Sequence, residues 1–595
     1  MFYDIECFKY DSLVVFKRLD HSVHSYYWYS DDIKKYSQEI AIILRDHLMA
    51  GYNNFYYDDQ IIEHMKRGES QEEIKSANDA IIGGDNYTAL EVAFDSIDMF
   101  QQIDVAKPSL KQIEGNMGKS ILETSVPFDI DRKLTDQERE DVLKYCMYDV
   151  DSTISVYELR KKSYFDVKQE LLTMCNKPYA NKWNTTSIVA DILIPDAAAY
   201  RSYKYNKTTA RVTALETPIS FIPKGAWNVW CRAKNEDVPR DASYTVSCFG
   251  LNNKDYCDVV FGFGGLHGAP VKPWESDNLK PIRLLDVGSM YPSIIVRENL
   301  LGNSTELYNQ IRLERLSIKK SDPLRANALK LILNSTYGLL KNQYSKLKNP
   351  KAANDVCIYG QIALYDLCIR LDKLGYRIIN INTDGVAFED NLYQFGDFWE
   401  DIKTEWEQDY KLTLECETFK KWIQRDVNNY VAVRPDDSIK VKGGDVNLAL
   451  KNEYFKNNSA RIIDMAVVYG LLHRNDEDWQ GEMNVLQFLY DHTNEPMLFQ
   501  YILKAGGTFK GVYDVRGNKM QNVNRVFAIK SGDSRATSLR KVRKDGGYVK
   551  FPNAPDRMYV WNDDCDKIED FASWVDLNHY SKIIMSKLKA WEVKH

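Results

Sequence analysis

The chain has 595 residues, 44% of them hydrophobic and 27% charged, with a net charge of −7. That length predicts several domains with sizeable cores, and the composition is ordinary for a soluble globular protein. No run of roughly 18 apolar residues predicts a membrane span. MFYDIECF lacks a secretory pattern, and 10 cysteines without Cys-x-x-Cys pairs point to a reducing compartment rather than a disulfide scaffold or zinc site.

In chain order, Met1 to Cys7 alternates Tyr3 and Ile5 with Asp4 and Glu6. On a strand, residues two apart share a face, so both carboxylates point the same way. GYNNFYYDDQII follows, with Asn54, Tyr57 and the adjacent acids Asp58 and Asp59, which chemistry alone does not separate. Asn54, Phe55 and Tyr57 suit hydrogen bonding to and stacking on a splayed single strand. KYCMYDVDST spaces Tyr145 and Asp149 four apart, on one face of a helix. Four converging carboxylates can hold two metals, with Tyr145 orienting an attacking water. Taken singly, each of these residues also fits an exposed strand face, a turn or a solvated helix edge.

FGFGGLHGAP, Phe261 to Pro270, concentrates glycines that permit close backbone approach. LLDVGSMYPS, Leu284 to Ser293, reads as a buried strand delivering Asp286 to its end, then a sharp turn. A helical hairpin is predicted over 305–320 and 324–338, broken at Ser321-Asp322-Pro323. Its second arm contains KLILNSTYG, which Gly338 can end, with Lys330, Asn334 and Tyr337 on one face. Arg315 and Lys319 sit four apart on the first arm. YRIININTDGVAFED predicts a hairpin turning at Asp384-Gly385, with Asp384 at its tip. Two carboxylates at neighbouring strand ends, faced by a basic helix, are what two-metal phosphoryl transfer requires, and Mg²⁺ needs few protein oxygens. Lys and Arg crowd residues 312–351 against only Glu314 and Asp322, and crowd residues 525–550 against only Asp533 and Asp545. Such local charge attracts phosphates within an acidic chain.

DVGSMYPS, KLILNSTYG and NTDG, in that order, resemble motifs A, B and C of family B DNA polymerases. Met290 replaces the usual Leu, and Asn382 replaces the first Asp of the usual D-T-D-S. The N-terminal stretches resemble the D-x-E, N-x-x-(F/Y)-D and Y-x-x-x-D motifs of the 3′–5′ proofreading exonuclease of the same polymerases, and the motif selects Asp58 over Asp59. SLKQI resembles a further motif that contacts the single-stranded primer end through Ser109 and Leu110. Phe261 to Gly265 resembles the template-binding Y-x-G-G/A motif without its tyrosine. NNYVAVRPDDSIKVKGGD resembles the primer-holding K-x-Y motif and following Lys-Gly, with Asn428 in place of the leading Lys.

The resemblance implies an α/β and α+β multidomain chain: an RNase H-like exonuclease over 1–165, a connecting region and outer palm over 166–280, and palm over 281–304 and 346–450. Fingers follow over 305–345, and a thumb with C-terminal region over 451–595. Polar boundaries are expected near 175–185, 233–256 and 345–355. Polymerase metals fall to Asp286, Asp384 and the Val287 carbonyl, and nuclease metals to Asp4, Glu6, Asp58 and Asp149 with Tyr145. The implied cofactor is Mg²⁺, two per site, with Mn²⁺ as substitute. Incoming dNTP falls to Lys330, Tyr291 (excluding a 2′-OH), Asn334, Tyr337, Arg315 and Lys319. DNA contacts fall to Asn54, Tyr57, Ser109, Leu110, Gly264, Gly265, Thr383, Tyr430 and Lys442. The intervals around Lys330 leave no room for the large inserts of protein-primed phage polymerases, so the expectation is a compact, monomeric phage-type enzyme in the host cytoplasm. It would extend nucleic-acid primers on primer-template DNA, alongside a phage helicase and single-stranded DNA-binding protein. Competing expectations are a protein-primed polymerase, a chain acting mainly as the exonuclease because Asn382 cripples synthesis, and a non-catalytic DNA-binding scaffold.

Overall fold

The computed structural model of the chain describes residues 1–84, 87–194, 219–232, 242–250, 256–277, 279–390 and 398–593. They form a mixed α/β structure of two compact units. One comprises Met1–Asn184, Asn452–Ile462 and Gln487–Tyr580, and the other comprises Thr185–Lys451, Ile463–Leu486 and Ser581–His595. Residues expected as one thumb over 451–595 therefore divide, and most of them join the N-terminal unit. The boundary expected near 175–185 coincides with the division after Asn184, whereas 345–355 lies within the second unit. Of the boundary expected at 233–256, residues 233–241 and 251–255 lie outside the described residues.

The first unit opens with strands β1 (Phe2–Cys7), β2 (Ser12–Lys17), β3 (Val23–Trp28), β4 (Met49–Gly51) and β5 (Ser96–Asp98), in the sheet order β3-β2-β1-β4-β5. β2 runs antiparallel and β4 parallel to β1. Strand alternation decides the cores. Tyr3, Ile5 and Cys7 pack with Val14, Phe16, Ile40 and Ile61 on one face. Phe2, Leu13 and Val15 pack with Val142, Cys146 and Val150 of the helix Asp136–Arg160 on the other. Asp4 and Glu6 share the second face and so lie under that helix. Thr135 fixes the start of the helix by accepting from the Glu138 amide in a capping box.

The second unit holds β6 (Tyr244–Cys248), β7 (Cys257–Phe261), β8 (Leu266–Pro270), β9 (Trp274–Glu275), β10 (Ile282–Val287), β11 (Arg377–Thr383), β12 (Gly385–Glu389) and β13 (Leu414–Phe419). With β9 set apart, these make a seven-stranded sheet ordered β13-β10-β12-β11-β8-β7-β6. A smaller sheet ordered β16-β15-β14-β9 adds β14 (Lys421–Asp426), β15 (Asn429–Val433) and β16 (Ile439–Lys442). Ile282, Ala387 and Phe419 of the large sheet pack with Trp422, Tyr430 and Ala432 of the small one. The helical hairpin spans Thr305–Ile318 and Pro323–Lys341, with Asp322 capping the second arm and Pro323 in its first turn. Gly338 does not end that arm. It lies inside the helix, which runs one further turn to Lys341 because Leu339 and Leu340 are buried and hold the turn.

Back in the first unit, β17 (Tyr501–Lys504), β20 (Val523–Ala528) and β23 (Met558–Val560) make one sheet. β18 (Phe509–Asp514), β19 (Lys519–Met520), β21 (Leu539–Arg543) and β22 (Tyr548–Lys550) make another, ordered β19-β18-β21-β22.

Candidate active sites

In the first unit, β1 supplies Asp4 and Glu6, the helix Asp136–Arg160 supplies Tyr145 and Asp149, and Asp58 opens the helix Asp58–Arg67. Glu6, Asp58 and Asp149 are buried, and Asp4 is half-buried. Burial and the charges of its neighbours raise each acid: Asp4 to about 7, by burial and then Asp149, Glu6 by burial and then Asp4 and Asp149, and Asp58 by burial and then Asp4. Burial also raises Asp149, against the pull of Lys111 and a hydrogen bond from Tyr145.

The structure separates the adjacent acids that chemistry left equal. Asp59 is fully buried and accepts from Tyr3, from Asn54 Nδ2 at 2.8 Å and from Ser96 Oγ at 2.6 Å, a structural role. Asp58 instead faces Asp4. Asn54 is therefore committed to Asp59 and is fully buried, Phe55 is buried, and Tyr57 donates to Asn78 at 2.6 Å. Tyr57 remains half-buried and the Asn54 Oδ1 has no partner, while the neighbouring Tyr56 is 79% exposed. Ser109 starts the helix Leu110–Asn116, its amide donating to Gln112 at 3.1 Å, and Leu110 packs on the core.

Sequence reasoning passed over Lys111. Its ammonium binds Asp149, lies 3.5 Å from Glu114 and sits 4.7 Å from the Tyr145 ring centre. Burial alone would lower its pKa, but Asp149 and Glu114 outweigh that and raise it. A lone Lys in a short helix carries no sequence signal of this kind. Asp4, Glu6 and Cys146 bring ligand atoms within 4.8 Å of one another. The carboxylate oxygens suit Mg²⁺ or Mn²⁺; the thiol does not, and its sulfur lies 3.7 Å from the Asp4 backbone carbonyl.

In the second unit, Asp286, one residue before the end of β10, lies between Gly385 of β12 and Glu415 of β13. Gly385 pairs onward with Asn382, and Asn382 with His267. Directly opposed residues share a face, so Glu415, Asp286, Gly385, Asn382 and His267 form one row across five strands. The hairpin turns one residue earlier than expected. The central pair is Thr383-Asp384, and Gly385 already belongs to β12. The Asp384 amide donates to the Asn382 carbonyl at 2.7 Å around Thr383, whose φ is +60°. A β-branched residue there is strained. The Asp384 carbonyl accepts from the Val287 amide at 2.7 Å, which fixes the two aspartates side by side. A side chain at 385 would start 3.1 Å from Asp286 Oδ1, so glycine keeps the space between them clear.

Burial and Asp384 raise Asp286 to about 6. Asp384, exposed at the turn, is still raised by the protein that crowds water from its carboxylate. The small sheet faces this pair with Tyr430, registered opposite Lys442 and stacked on Trp422 at 4.5 Å. Lys440 donates to Glu417 at 2.7 Å, and Lys442 is lowered by burial against the attraction of Asp384 and Asp286. Asn382, at a position the motif gives to Asp, donates to the Val427 carbonyl at 3.0 Å and to Asn428 Oδ1 at 3.3 Å. The two positions that depart from the motifs thus touch each other, amide to amide.

Lys330 and Asn334 are exposed and Tyr337 half-buried on one stripe of the helix Pro323–Lys341. The Tyr337 ring packs tilted at 55° against that of Tyr291, centroids 4.7 Å apart, and its hydroxyl meets Cys357 Sγ at 2.7 Å. Lys341 donates to the Phe263 carbonyl at 2.7 Å. Gln361 anchors the glycine turn through Gly262 and Gly264. Gly265 lies so close to Thr383 that a Cβ would fall 2.5 Å from its hydroxyl, whereas Gly264 faces open space. Glycine at 265 is required by the approach of β8 to β11. Arg315 is half-buried, with its Nε unpaired, and Lys319 is exposed.

The C-terminal basic stretch is only partly free. Arg525 is fully buried and binds Gln500, the Asp563 carbonyl and the Gly115 and Lys119 carbonyls. Lys530 donates to the Ser573 carbonyl at 2.7 Å, and Arg535 pairs with Asp533.

No protein-family profile and no curated protein matches the chain. Among solved structures, it is similar to the family B DNA polymerase of the hyperthermophilic archaeon Pyrobaculum calidifontis, at 14% identity and a TM-score of 0.45, over 100% of this chain and 78% of that one. Among the described residues, no helix is long and apolar enough to cross a membrane.

Proposed function

We propose that the chain is a template-directed DNA polymerase with a 3′–5′ proofreading exonuclease, of the compact phage type. It would have an RNase H-like nuclease domain and a palm, fingers and thumb. The observation that carries the polymerase reading is a closed circuit of stretches far apart in sequence. Asp286 leads through Tyr291 to Tyr337 and Lys341. Lys341 leads through Phe263 and Gly265 to Thr383 and Asp384, whose backbone returns to Val287.

Two Mg²⁺ at Asp286 and Asp384 would offset the charge developing on the attacking and leaving oxygens. Asp286 sits near the end of β10 and Asp384 in the turn whose carbonyl accepts from the Val287 amide, so the backbone sets their spacing before substrate arrives, and such positioning supplies much of the catalysis. Lys330, on the exposed stripe of the fingers helix, would take the triphosphate. Tyr291, held by Tyr337, would press on the deoxyribose and exclude a 2′-OH. Tyr430 and Lys442 would hold the primer end. In the nuclease, Asp4, Glu6, Asp58 and Asp149 would hold the metals, and Tyr145 would orient the water. Primer and template, dNTPs and, in a phage replisome, a helicase and single-stranded DNA-binding protein are the partners this reading calls for. Incubation of the purified chain with a labelled primer on a longer template and Mg²⁺ tests it. Extension with dNTPs and shortening without them are expected; shortening alone under both conditions would reduce the chain to a nuclease.

A further inference from the structure

The sheet β19-β18-β21-β22 is two-faced. Val512 and Leu539 are buried on its inner side, where Lys541 lies over the rings of Phe509 and Phe551. On the outer side the register sets Lys550 opposite Arg540, Arg540 opposite Tyr513, and Tyr513 beside Lys519 on the next strand. Val542 of that same face pairs with Tyr548, which is 64% exposed. Three cations and two tyrosines thus share one face over three strand intervals of ~4.8 Å, roughly 14 Å.

Within the protein this arrangement is unfavourable. Like charges directly opposed across a ladder destabilise it, and the Arg540 Nε is buried without an acceptor. The nearby acids are already engaged. Asp514 accepts from the amides of Arg516 and Asn518 in its own turn, and Asp545 accepts from that of Gly547. Among the described residues, the one ion pair to these three cations is that of Lys550 with Asp556, at 3.3 Å, and both of its side chains are highly exposed. Exposed pairs of this kind contribute little.

The geometry points to an outside polyanion that completes this face: single-stranded nucleic acid, its phosphates along Lys519, Arg540 and Lys550 and its bases on Tyr513 and Tyr548. A duplex hides its base faces, so the tyrosines select the single strand; stacking on aromatics tolerates any sequence. The surface belongs to the same compact unit as the nuclease acids.

The test is fluorescence anisotropy of a labelled oligo-dT and of a blunt duplex in EDTA, where neither catalytic reading enters. Lys519→Glu/Lys550→Glu, at exposed positions, and Tyr548→Ala, on the edge strand, leave the apolar inner side intact. The charge variant is expected to weaken oligo-dT binding by tenfold or more and to flatten its salt dependence by a slope of about 1.4, since single strands give ~0.7 per phosphate contact. Tyr548→Ala is expected to cost ~10-fold on oligo-dT and nothing on duplex. Wild-type oligo-dT affinity in both variants, or equal losses on duplex, would overturn the inference.

Discussion

The two acid clusters are built by the same device and kept in opposite states. Each depends on a strand with an antiparallel neighbour: β1 carries Asp4 and Glu6 to one face, and β10 carries Asp286 beside the turn that holds Asp384. The N-terminal cluster lies beneath a 25-residue helix and holds its own cation, Lys111, against Asp149. The Asp286–Asp384 pair is half-open, and its lysines stand on a facing sheet, one of them already bound to Glu417. Burial raises acids in both, but in the first Lys111 contacts Asp149 directly, whereas in the second Lys440 and Lys442 act on Asp286 and Asp384 from the facing sheet. The lesson is that one sheet geometry yields a compensated acid site or an open one, depending on which element covers the strand end.

Substitutions should separate the two. The largest effect is expected at the open site, where an outside charge must be met. Lys330→Ala should lower primer extension by about a hundredfold while degradation is unchanged, since one lost charge-stabilising contact costs on that order; a loss of both activities would mean the helix matters only for folding. At the closed site, Lys111→Met strands Asp149 among acids. The metal-free protein should lose on the order of 3 kcal/mol in denaturant melts, and Mg²⁺ should restore part of it. An unchanged midpoint would remove Lys111 from its compensating role.

A smaller effect is expected at Asn382. Aspartate there forfeits the donor to Val427 and adds charge beside Asp384, so extension should fall several-fold. Asn382→Asp/Asn428→Lys, which turns the amide pair into an ion pair, should recover it. Failure of the double variant to exceed the single would show that the two positions are independent.

The smallest effect is in pH. Asp4 is raised from 3.8 to about 7 in the folded chain. The folded state therefore holds that proton more tightly than the unfolded one, and the stability this contributes is complete below pH 3.8 and lost as pH rises through 7. Asp286, at about 6, loses its share earlier. Metal-free protein should melt about 2–4 °C lower at pH 8 than at pH 5.5, and Asp4→Asn should shrink that difference. A melting point as steep with pH in the variant as in wild type would place the effect elsewhere.

What the sequence made legible was what local period controls. The alternation of Met1–Cys7 put Asp4 and Glu6 on one face, the four-residue step joined Tyr145 to Asp149, and Ser321-Asp322-Pro323 broke the helical hairpin where the structure does. What it hid was set from a distance. The turn falls on Thr383-Asp384 although Asp384-Gly385 is the better local turn, because Gly265 brings β8 against Thr383 and Val287 binds the Asp384 carbonyl. Arg525 read as part of a phosphate surface, but it is consumed by carbonyls up to 410 residues away. For the same reason nothing local announced that 487–580 packs with the N-terminal unit.

The most direct measurement is a paired assay of Asp384→Asn and Asp4→Ala on one labelled primer-template, with and without dNTPs. Two sites predict that the first still shortens the primer and cannot extend it, and that the second extends it and cannot shorten it. Loss of both reactions in either variant would contradict the assignment of one reaction to each cluster.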